Sequence, residues 1–427
     1  MGGRPEFKRR MQTVSPIEDI ALPINGVFEA YVRQQADSGR EVILVTAADQ
    51  STATHIASRF PYVSEGVGSS GSVNLSGRSK GVYLANRYGE RGFVYAGNER
   101  RDLQVWERAG GAIVVNPSMG LVRSAAKLTT VEQVFEDRPP RFRTVLRQLR
   151  PHQWLKNILI FVPVFTAHRL GDQGALVHAL VAFAAFCAAA SGAYVLNDIV
   201  DLPSDRVHAT KKRRPFASGD LPIEWGIGLL PVLFGISIAM AATLPAGARW
   251  MLLGYVVATL LYSFVFKRMF LLDAIMLACL YAARLVMGHL ATGIPLSRWL
   301  IAFALCMFLS LALLKRFCEL RDRDSGTVPG RGYHVDHLKA IGVAGIAAGV
   351  LSTGVMALYA GGEHAKTLYM TPAYIYLLCP VFLAWILRMW KLGYAGKMHE
   401  DPVLFTLHDL FSVATLAVTV GVVFLAR

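Results

Sequence analysis

A cluster of carboxylate and amide side chains lies where a long apolar stretch of the chain gives way to a basic one. The chain reads Asn197-Asp198-Ile-Val-Asp201-Leu-Pro-Ser-Asp205, and a basic run over 211–214 follows. On a helix, offsets of four and eight residues place Asn197, Asp201 and Asp205 along one face, with Asp198 at its edge. Like charges repel one another unless a cation lies among them, and hard oxygen ligands suit Mg²⁺ that also binds substrate phosphates. The spacing therefore favours a magnesium site; a solvated acidic helix end is the alternative.

A proline limits the geometry of this motif. Pro203 removes a backbone donor and must kink or end the helix near Leu202. We therefore expect the helical face to hold from Asn197 to Asp201 and to be less regular at Asp205.

The elements that carry these residues are predicted to be membrane spans. The chain is 53% hydrophobic and 17% charged, whereas soluble domains carry about 25% charge, so a soluble protein along the whole length is excluded. A span needs about 20 apolar residues. We predict nine spans, of which the first, 157–168, crosses only if it is extended from Trp154, and the fifth, 270–297, contains Asp273 and Arg284. The other seven lie at 173–197, 225–248, 250–266, 299–314, 340–362, 367–387 and 410–426.

Basic residues are divided unevenly between the two sides that nine spans create. The connections on the side of the N-terminal region hold 21 lysines and arginines, and those on the other side hold five. Because basic residues accumulate in cytoplasmic loops, we predict a membrane protein with a cytoplasmic N-terminal domain and an outward-facing C-terminus, periplasmic or extracellular. The formal net charge of +14 follows this topology and forms no aromatic-rich basic patch, which excludes nucleic-acid binding.

The motif N-D-x-x-D-x-x-x-D on the second predicted span resembles the first aspartate motif of the UbiA-type intramembrane prenyltransferases. Within that superfamily, the sequence is most similar to the bacterial decaprenyl-phosphate phosphoribosyltransferases, which act in cell envelope biosynthesis. The matching segments cover much of 149–427 and read LRPHQWLKN (149–157), YVLNDIVDLPSDRVHATKKRRPFASG (194–219), LYSFVFK (261–267), LYAARLVMGHLATGIPLSRW (280–299), LKRFCEL (314–320) and EDPVLFTLHD (400–409).

The resemblance implies an all-α transferase domain that moves 5-phosphoribosyl from phosphoribosyl diphosphate to a polyprenyl phosphate and releases pyrophosphate. Mg²⁺ is the implied cofactor, held by Asp198, Asp201 and Asp205, with Asn197 beside them. Substrate phosphates are expected to meet basic side chains, which are Lys211, Arg213, Arg214, Lys315 and Arg316. Which cation meets which phosphate stays open, as do the lipid chain length and the oligomeric state.

A second motif distinguishes the subfamilies. Prenyltransferases that act on aromatic rings usually carry another aspartate-rich motif after the sixth span, where this chain has Lys315-Arg316-Phe-Cys-Glu319, with Asp322 and Asp324 in the loop that follows. Replacing acids by cations there favours a second phosphate-bearing substrate over a neutral aromatic acceptor. The alternative is that these cations extend to anionic lipid.

Four further residues are candidates for substrate binding. Arg284 lies well inside a predicted span, where an unpaired guanidinium costs at least about 2.5 kcal/mol, so we expect it to face the substrate chamber; a structural pair with Asp273 is the alternative. Tyr262 and Lys267 match the family's Tyr-to-Lys motif. Lys156, which follows Trp154, is a further candidate. For Tyr262, Lys267 and Lys156, a role at the membrane interface or in setting the membrane topology is equally expected.

Residues 1–117 are predicted to form a small Rossmann-like α/β domain. Strands are predicted at 39–48, 90–98 and 111–117, with a helix at 50–60, which is typical of a parallel sheet. The small motifs Thr46, Lys80 and Asn98-x-x-x-Asp102 resemble those of haloacid dehalogenase-like phosphatases.

Two differences from the phosphatases change the expected activity of this domain. Asn98 stands where an aspartate is common, and the nucleophilic D-x-D motif is absent from 1–37. The domain is therefore predicted to lack phosphatase activity, either as an N-terminally truncated segment of a longer protein or as an inactive remnant. Residues 118–148 are predicted to be a basic linker, and 149–427 the transferase domain.

Two other functions remain open at this point. The first is a UbiA-type prenyltransferase that moves a prenyl group from a prenyl diphosphate to an aromatic acceptor. The second is a non-enzymatic membrane scaffold or transporter, for which an acidic motif followed directly by a basic loop has no evident use.

Overall fold

The computed structural model describes residues 22–70, 73–322, 326, 331–363, 365, 369–398 and 401–426. The chain divides into two compact units, of which the first comprises Met1–Val145 with Val200–Pro222 and the second Leu146–Ile199 with Ile223–Arg427. Asp324 of the predicted charged loop lies outside the described residues.

The first unit is an α/β domain. Its elements are α1 (Gly26–Asp37), β1 (Ile43–Asp49), α2 (Gln50–Ser58), β2 (Glu65–Ser69), α3 (Arg78–Tyr88), β3 (Val94–Gly97), α4 (Leu103–Trp106), β4 (Gly111–Val115), α5 (Leu121–Ala126) and β5 (Thr130–Phe135). Within the described part, β1 pairs with β2 in one sheet and β3, β4 and β5 form another, and every pairing is parallel. The predicted parallel arrangement is confirmed, although the strands divide between two sheets.

Two strands of this domain were not predicted. β2 reads EGVGS, whose two glycines give it a weak strand signal, and β5 reads TVEQVF within the stretch predicted as a linker. β5 pairs with β4 along its length. The linker prediction for 118–148 is therefore wrong in its first half, which completes a sheet.

The second unit is helical, and its long helices are apolar. After the helix α6 (Arg141–Leu149), which crosses the boundary between the units, it contains a 3-10 helix (Pro151–Phe161), α7 (Val162–Thr166) and α8 (Gln173–Val200). The remaining helices are α10 (Ile223–Ala242), α11 (Ala246–Phe264), α12 (Leu272–Thr292), α13 (Arg298–Arg321), α14 (Leu338–Gly361), α15 (Leu378–Tyr394), α16 (Pro402–His408) and α17 (Leu410–Leu425); the short α9 (Leu202–Val207) belongs to the first unit.

Seven described helices are long and apolar enough to cross a membrane, and α16 with α17, bent by 83°, makes an eighth if the pair counts as one span. Eight of the nine predicted spans therefore correspond to these helices. The first predicted span instead forms the 3-10 helix and the five-residue α7, interrupted by Pro163. The chain is a multi-pass membrane protein by the number of these helices.

The proline in the acidic motif acts as expected. α8 ends at Val200, Asp201 lies between the helices with φ −82° and ψ 3°, and Pro203 lies in the first turn of α9. The regular helical face therefore ends before Asp201, slightly earlier than the sequence indicates. The segment 200–222, predicted as part of the transferase domain, groups with the first unit.

Close packing between α13, α14 and α15 builds the largest core of the second unit. Trp390 lies against Gly345, where an added Cβ would come 2.0 Å from the indole ring. Its indole nitrogen donates to Ser310 Oγ at 3.0 Å. Phe317 packs edge-on against Trp390 at 5.6 Å. This core fixes the C-terminal end of α13, on which the predicted site residues Lys315 and Arg316 lie.

Candidate active site

A cavity of about 290 Å³ lies within the second unit, between α8, α11, α12, α13, the 3-10 helix and the start of α16. Its described lining carries one carboxylate, Asp401, and six cationic side chains, Arg150, Lys156, Arg284, Lys315, Arg316 and Arg331. Polar uncharged groups also line it, including four tyrosines at 194, 255, 262 and 281. The cavity is therefore suited to an anionic ligand.

Asp198 of the acidic motif lies behind this lining. Its carboxylate is buried and accepts from Arg150 Nη2 at 2.6 and 2.7 Å and from Gln148 Nε2 at 2.8 Å. The Arg150 guanidinium stacks 5.0 Å above the Tyr194 ring. Arg150 also has φ +53°, a left-handed conformation that costs a non-glycine residue roughly 1–2 kcal/mol. These contacts offset that cost, and Arg150 neutralises Asp198.

Asn197 faces the cavity itself. Its side-chain amide donates to Ser263 Oγ at 2.9 Å, and Ser263 in turn donates to the main-chain oxygen of Thr259. The first residue of the motif is therefore held by α11.

The remaining motif residues belong to the first unit. Asp205 is 2% exposed and forms an ion pair with Arg214 at 2.6 Å. The Asp201 main-chain oxygen accepts from the Asp205 amide at 2.9 Å. Lys211 and Arg213 are exposed on a short 3-10 helix. The structure therefore places Asp205 beside one of the predicted phosphate-binding cations, Arg214.

The donor chemistry of the motif fits Mg²⁺. Mg²⁺ is usually bound by one or two carboxylates together with waters and substrate phosphates, so it needs no closed protein cage. Among the described residues, no group of three or more His, Cys, Asp or Glu side chains could hold a metal. Asp198 and Asp205 instead lie against arginines. A metal there would depend on oxygens that a phosphate substrate brings.

Arg284 lines the cavity, as the sequence indicates. It is 6% exposed, and its guanidinium donates to Asn157 Oδ1 at 2.8 Å, to the Tyr255 hydroxyl at 3.2 Å and to the main-chain oxygen of Leu280. Asp273, the alternative partner, pairs with other arginines. Neutral groups therefore hold this arginine at the cavity wall.

Arg316 belongs to a compact ionic network around Asp273. Arg316 Nε lies 2.7 Å from Asp273 Oδ2, and Arg316 also pairs with Glu319. Arg331 reaches Asp273 at 3.2 Å and Glu319 at 3.3 Å. The Tyr262 hydroxyl donates to Asp273 Oδ1 at 3.0 Å. Two cations and two carboxylates balance here, and Arg316, Arg331 and Tyr262 reach the cavity.

Lys156 and Lys315 converge on one carboxylate. Lys315 Nζ lies 2.7 Å and Lys156 Nζ 3.2 Å from the same oxygen, Asp401 Oδ2. The other oxygen of Asp401 accepts from the Val403 amide at 3.1 Å, which caps α16. The predicted substrate residue Lys267 lies outside the described lining of the cavity.

The candidate phosphatase residues of the first unit are only partly brought together. Lys80 Nζ donates to the Tyr95 hydroxyl at 2.8 Å, and that hydroxyl donates to Asp102 Oδ1 at 3.2 Å. Asp102 Oδ2 accepts from the backbone amide of Asn98, and Thr46 Oγ1 accepts from the Ala48 amide. Burial lowers the pKa of Lys80, and Asp102 partly opposes this shift. Tyr95 thus lies between Lys80 and Asp102 and contacts both.

Several residues that line the cavity or contact its lining were not predicted as site residues. Arg150 and Asn157 lie in the LRPHQWLKN segment and Asp401 in EDPVLFTLHD, so the matched segments already contained them. Asp401-Pro402 also has the order of a helix N-cap followed by proline at the first helical position. Arg331 follows a charged loop, and neither a matched segment nor a capping pattern indicated it as a site residue.

Relatives of known sequence cover from 41% to 95% of this chain. The uncharacterized protein y4nM of Sinorhizobium fredii is 36% identical over 415 residues, 95% of this chain and 80% of that protein. The nodulation protein NoeC of Azorhizobium caulinodans is 33% identical, over 66% of this chain and 94% of that protein. A decaprenyl-phosphate phosphoribosyltransferase of Mycobacterium tuberculosis is 33% identical, over 41% of this chain and 60% of that enzyme.

A solved structure has the same fold. The UbiA homolog from Archaeoglobus fulgidus, determined with GPP and Mg²⁺, superposes with a TM-score of 0.52 at 17% identity, over 66% of this chain and 99% of that one. The sequence model of the UbiA prenyltransferase family matches residues 158–408. The chain therefore belongs to the UbiA prenyltransferase family and is a multi-pass membrane transferase.

Proposed function

We propose that this protein transfers 5-phosphoribosyl from phosphoribosyl diphosphate to a polyprenyl phosphate and releases pyrophosphate. The observation that carries the proposal is the composition of the cavity, whose described lining has six cations and one carboxylate. Two phosphorylated substrates need several cationic hydrogen-bond donors around one cavity, whereas a neutral aromatic ring needs none.

One group of relatives supports the proposed substrates by name. Decaprenyl-phosphate phosphoribosyltransferases match 41–48% of the chain, and their name gives the transferred phosphoribosyl group and the lipid phosphate. The A. fulgidus homolog was determined with GPP, which is a prenyl diphosphate and belongs to the donor class of the alternative reaction. The names y4nM and NoeC specify no substrate.

The second acidic motif argues against an aromatic acceptor. Where an aspartate-rich motif would hold a second metal, Glu319 instead pairs with Arg316 and Arg331. Two arginines thus stand beside the acid of this motif, and both line the cavity, where their N–H groups can donate to phosphate oxygens.

In the proposed reaction, the bond between C1 of the ribose and the diphosphate oxygen breaks, and a lipid phosphate oxygen forms the new bond to C1. Mg²⁺, bound by Asp198, Asp201 and Asp205 together with the diphosphate, would neutralise the charge of the leaving group. The chain's own task is to position the two anions and to stabilise developing charge. A phosphate is already an anionic nucleophile, so no general base is needed.

We further propose that the reaction takes place at the cytoplasmic face of a bacterial inner membrane, because connections rich in lysine and arginine flank the site. The first unit is proposed to be haloacid dehalogenase-like and without phosphatase activity, so the lipid product should keep its 5-phosphate. The connected Lys80, Tyr95 and Asp102 side chains are compatible with such a domain.

Membrane vesicles test the function and the orientation together. Inside-out vesicles that contain the protein receive Mg²⁺ with either phosphoribosyl diphosphate and polyprenyl phosphate, or a prenyl diphosphate and an aromatic acid. We expect product only from the first mixture, and little from right-side-out vesicles, because phosphoribosyl diphosphate does not cross the membrane. Asp201→Asn should reduce the rate about 100-fold or more, with protein levels in the membrane unchanged.

The matched control is Asp336→Asn, an exposed acid (85% side-chain exposure) outside the motif, which should retain full activity. Product from the aromatic mixture alone would reject the proposal. Full activity of Asp201→Asn would reject the metal assignment.

A further inference from the structure

The charges that line the cavity fall into groups, and two of these groups are already balanced. Arg150 pairs with Asp198. Arg316 and Arg331 pair with Asp273 and Glu319. Neither group therefore needs a ligand to neutralise its charge.

The third group is not balanced. Lys156 and Lys315 share the single carboxylate of Asp401, and the partners of the Arg284 guanidinium among the described residues are the neutral groups of Asn157, Tyr255 and Leu280. Counted over the part of the chain that the structure describes, three positive charges and one negative charge leave an excess of two. A phosphate monoester near neutral pH carries about two negative charges.

These cations lie close to one another. Lys156 Nζ and the Arg284 guanidinium carbon each lie 5.5 Å from the centre of the same ring, Tyr281, so they are at most about 11 Å apart. Lys315 joins Lys156 at Asp401 Oδ2. The side chains are also restricted in solvent access, with 10% exposure for Lys156 and 30% for Lys315. Charge in such a place is costly to leave uncompensated.

Asp401 holds both lysines before any ligand arrives. Each ammonium group has three N–H donors and spends one on Asp401, which leaves two donors on each. Ordering a lysine side chain costs rotamer entropy, because four rotatable bonds are fixed. Because Asp401 is fixed by the Val403 amide at the start of α16, that cost is met before binding.

We propose that Lys156, Lys315 and Arg284 form the seat of a phosphate monoester dianion, and that Asp401 is the residue that positions the two lysines. This inference rests on the proposed function and assigns one phosphate to one group of cations. Two monoesters could provide this chemistry, namely the phosphate of the lipid acceptor and the 5-phosphate of the sugar donor. The experiment distinguishes them.

Binding measurements on the purified full-length chain use four probes. Farnesyl phosphate and ribose 5-phosphate are the two monoesters, and farnesol and ribose are their uncharged counterparts. The variants are Lys156→Gln and Lys315→Gln, with Lys391→Gln, an exposed lysine of α15, as the matched control. For the monoester that occupies the seat, we expect each site variant to weaken binding about 10- to 100-fold, and the control and the neutral probes to be unaffected.

The charge of the ligand separates a direct role from a structural one. The methyl diester of the same ligand carries one negative charge, so wild-type protein should bind it more weakly than the monoester. That preference should shrink in Lys315→Gln. The double variant Lys315→Gln with Asp401→Asn restores the charge balance, and its thermal unfolding midpoint shows whether the fold persists.

Asp401→Asn gives a result of opposite sign for the two roles that Asp401 could have. If Asp401 positions the lysines, its loss weakens monoester binding and Asp401→Glu partly restores it. If Asp401 only competes with the ligand for the lysines, removing its charge strengthens binding, and the positioning role is rejected.

The outcomes also separate the seat from the proposed function. Unchanged binding of both monoesters by Lys156→Gln and Lys315→Gln rejects the seat, even if phosphoribosyl transfer proceeds. Lysine-dependent binding of either monoester without any transfer from phosphoribosyl diphosphate supports the seat and rejects the function.

Discussion

At the scale of single residues, the most buried acid of the second unit ties three site residues together. Asp273 has no exposed surface, and Arg316, Arg331 and Tyr262 all reach it. An ion pair buried in this way adds little net stability, but removing one partner leaves a charge that nothing compensates. Asp273 therefore serves mainly to orient the cavity residues that contact it.

Asp273→Asn should lower the free energy of unfolding by about 3 kcal/mol or more. Chemical or thermal unfolding in detergent measures the change. Asp172→Asn is the matched control, since Asp172 pairs with Arg169 at the surface and such pairs contribute about 0–1 kcal/mol. Equal, small changes in both variants would contradict the role of Asp273.

Site residues could be predicted from sequence where their type was unexpected for its surroundings. Arg284 in an apolar span, and Lys315 with Arg316 at the end of another, all line the cavity. Asp198 does not reach the described lining, because Arg150 covers it through two short contacts. Long-range pairs of this kind, and the convergence of two lysines on Asp401, leave no local pattern in the sequence.

At the scale of elements, the 3-10 helix Pro151–Phe161 depends on one close backbone contact. It carries Lys156 and Asn157. Gly288 of α12 lies against it, and a Cβ at this position would come 2.1 Å from the main-chain oxygen of Ile160. Glycine is therefore required where these two backbones meet.

Gly288→Ala should destabilise the protein by about 1–3 kcal/mol, because backbone must move to admit the methyl group. It should also weaken monoester binding, since Lys156 moves with the 3-10 helix. Gly254→Ala is the matched control: its Cβ would meet nothing within 4 Å, and alanine is the better helix former. Unfolding midpoints of the two variants provide the comparison, and a Gly288→Ala protein as stable as the control would show that the contact is not tight.

Helices were more predictable than the other elements for a physical reason. Long apolar runs identify a span by length and hydropathy alone, and eight predicted spans match helices. The segment after Pro151 is apolar too, but its two prolines and short length give a 3-10 helix with a brief α-helix. The bend between α16 and α17 is set by Asp409, which caps α17 and is held by Arg388 at 2.7 and 2.8 Å, a contact made across the sequence.

At the scale of the whole molecule, the chain joins an α/β unit to a UbiA-type membrane unit, and the described cavity is formed by the second alone. The relative y4nM spans both units, covering 95% of the chain, whereas the phosphoribosyltransferase from M. tuberculosis matches 41% of it. The division into a polar and an apolar part was predictable from composition, whereas the assignment of 200–222 to the first unit depends on tertiary contacts.

The central claim is that the sugar phosphate, and not the diphosphate or a prenyl group, is transferred. Phosphoribosyl diphosphate labelled with ¹⁴C in the ribose and ³²P in the β-phosphate, incubated with the protein, Mg²⁺ and a polyprenyl phosphate, tests it most directly. We expect ¹⁴C in the lipid product, whose mass should include the 5-phosphate. All ³²P should be in water-soluble pyrophosphate. Lipid that carries ³²P would contradict this claim. So would lipid without ¹⁴C, if the same protein joins a prenyl diphosphate to an aromatic acid in a parallel incubation.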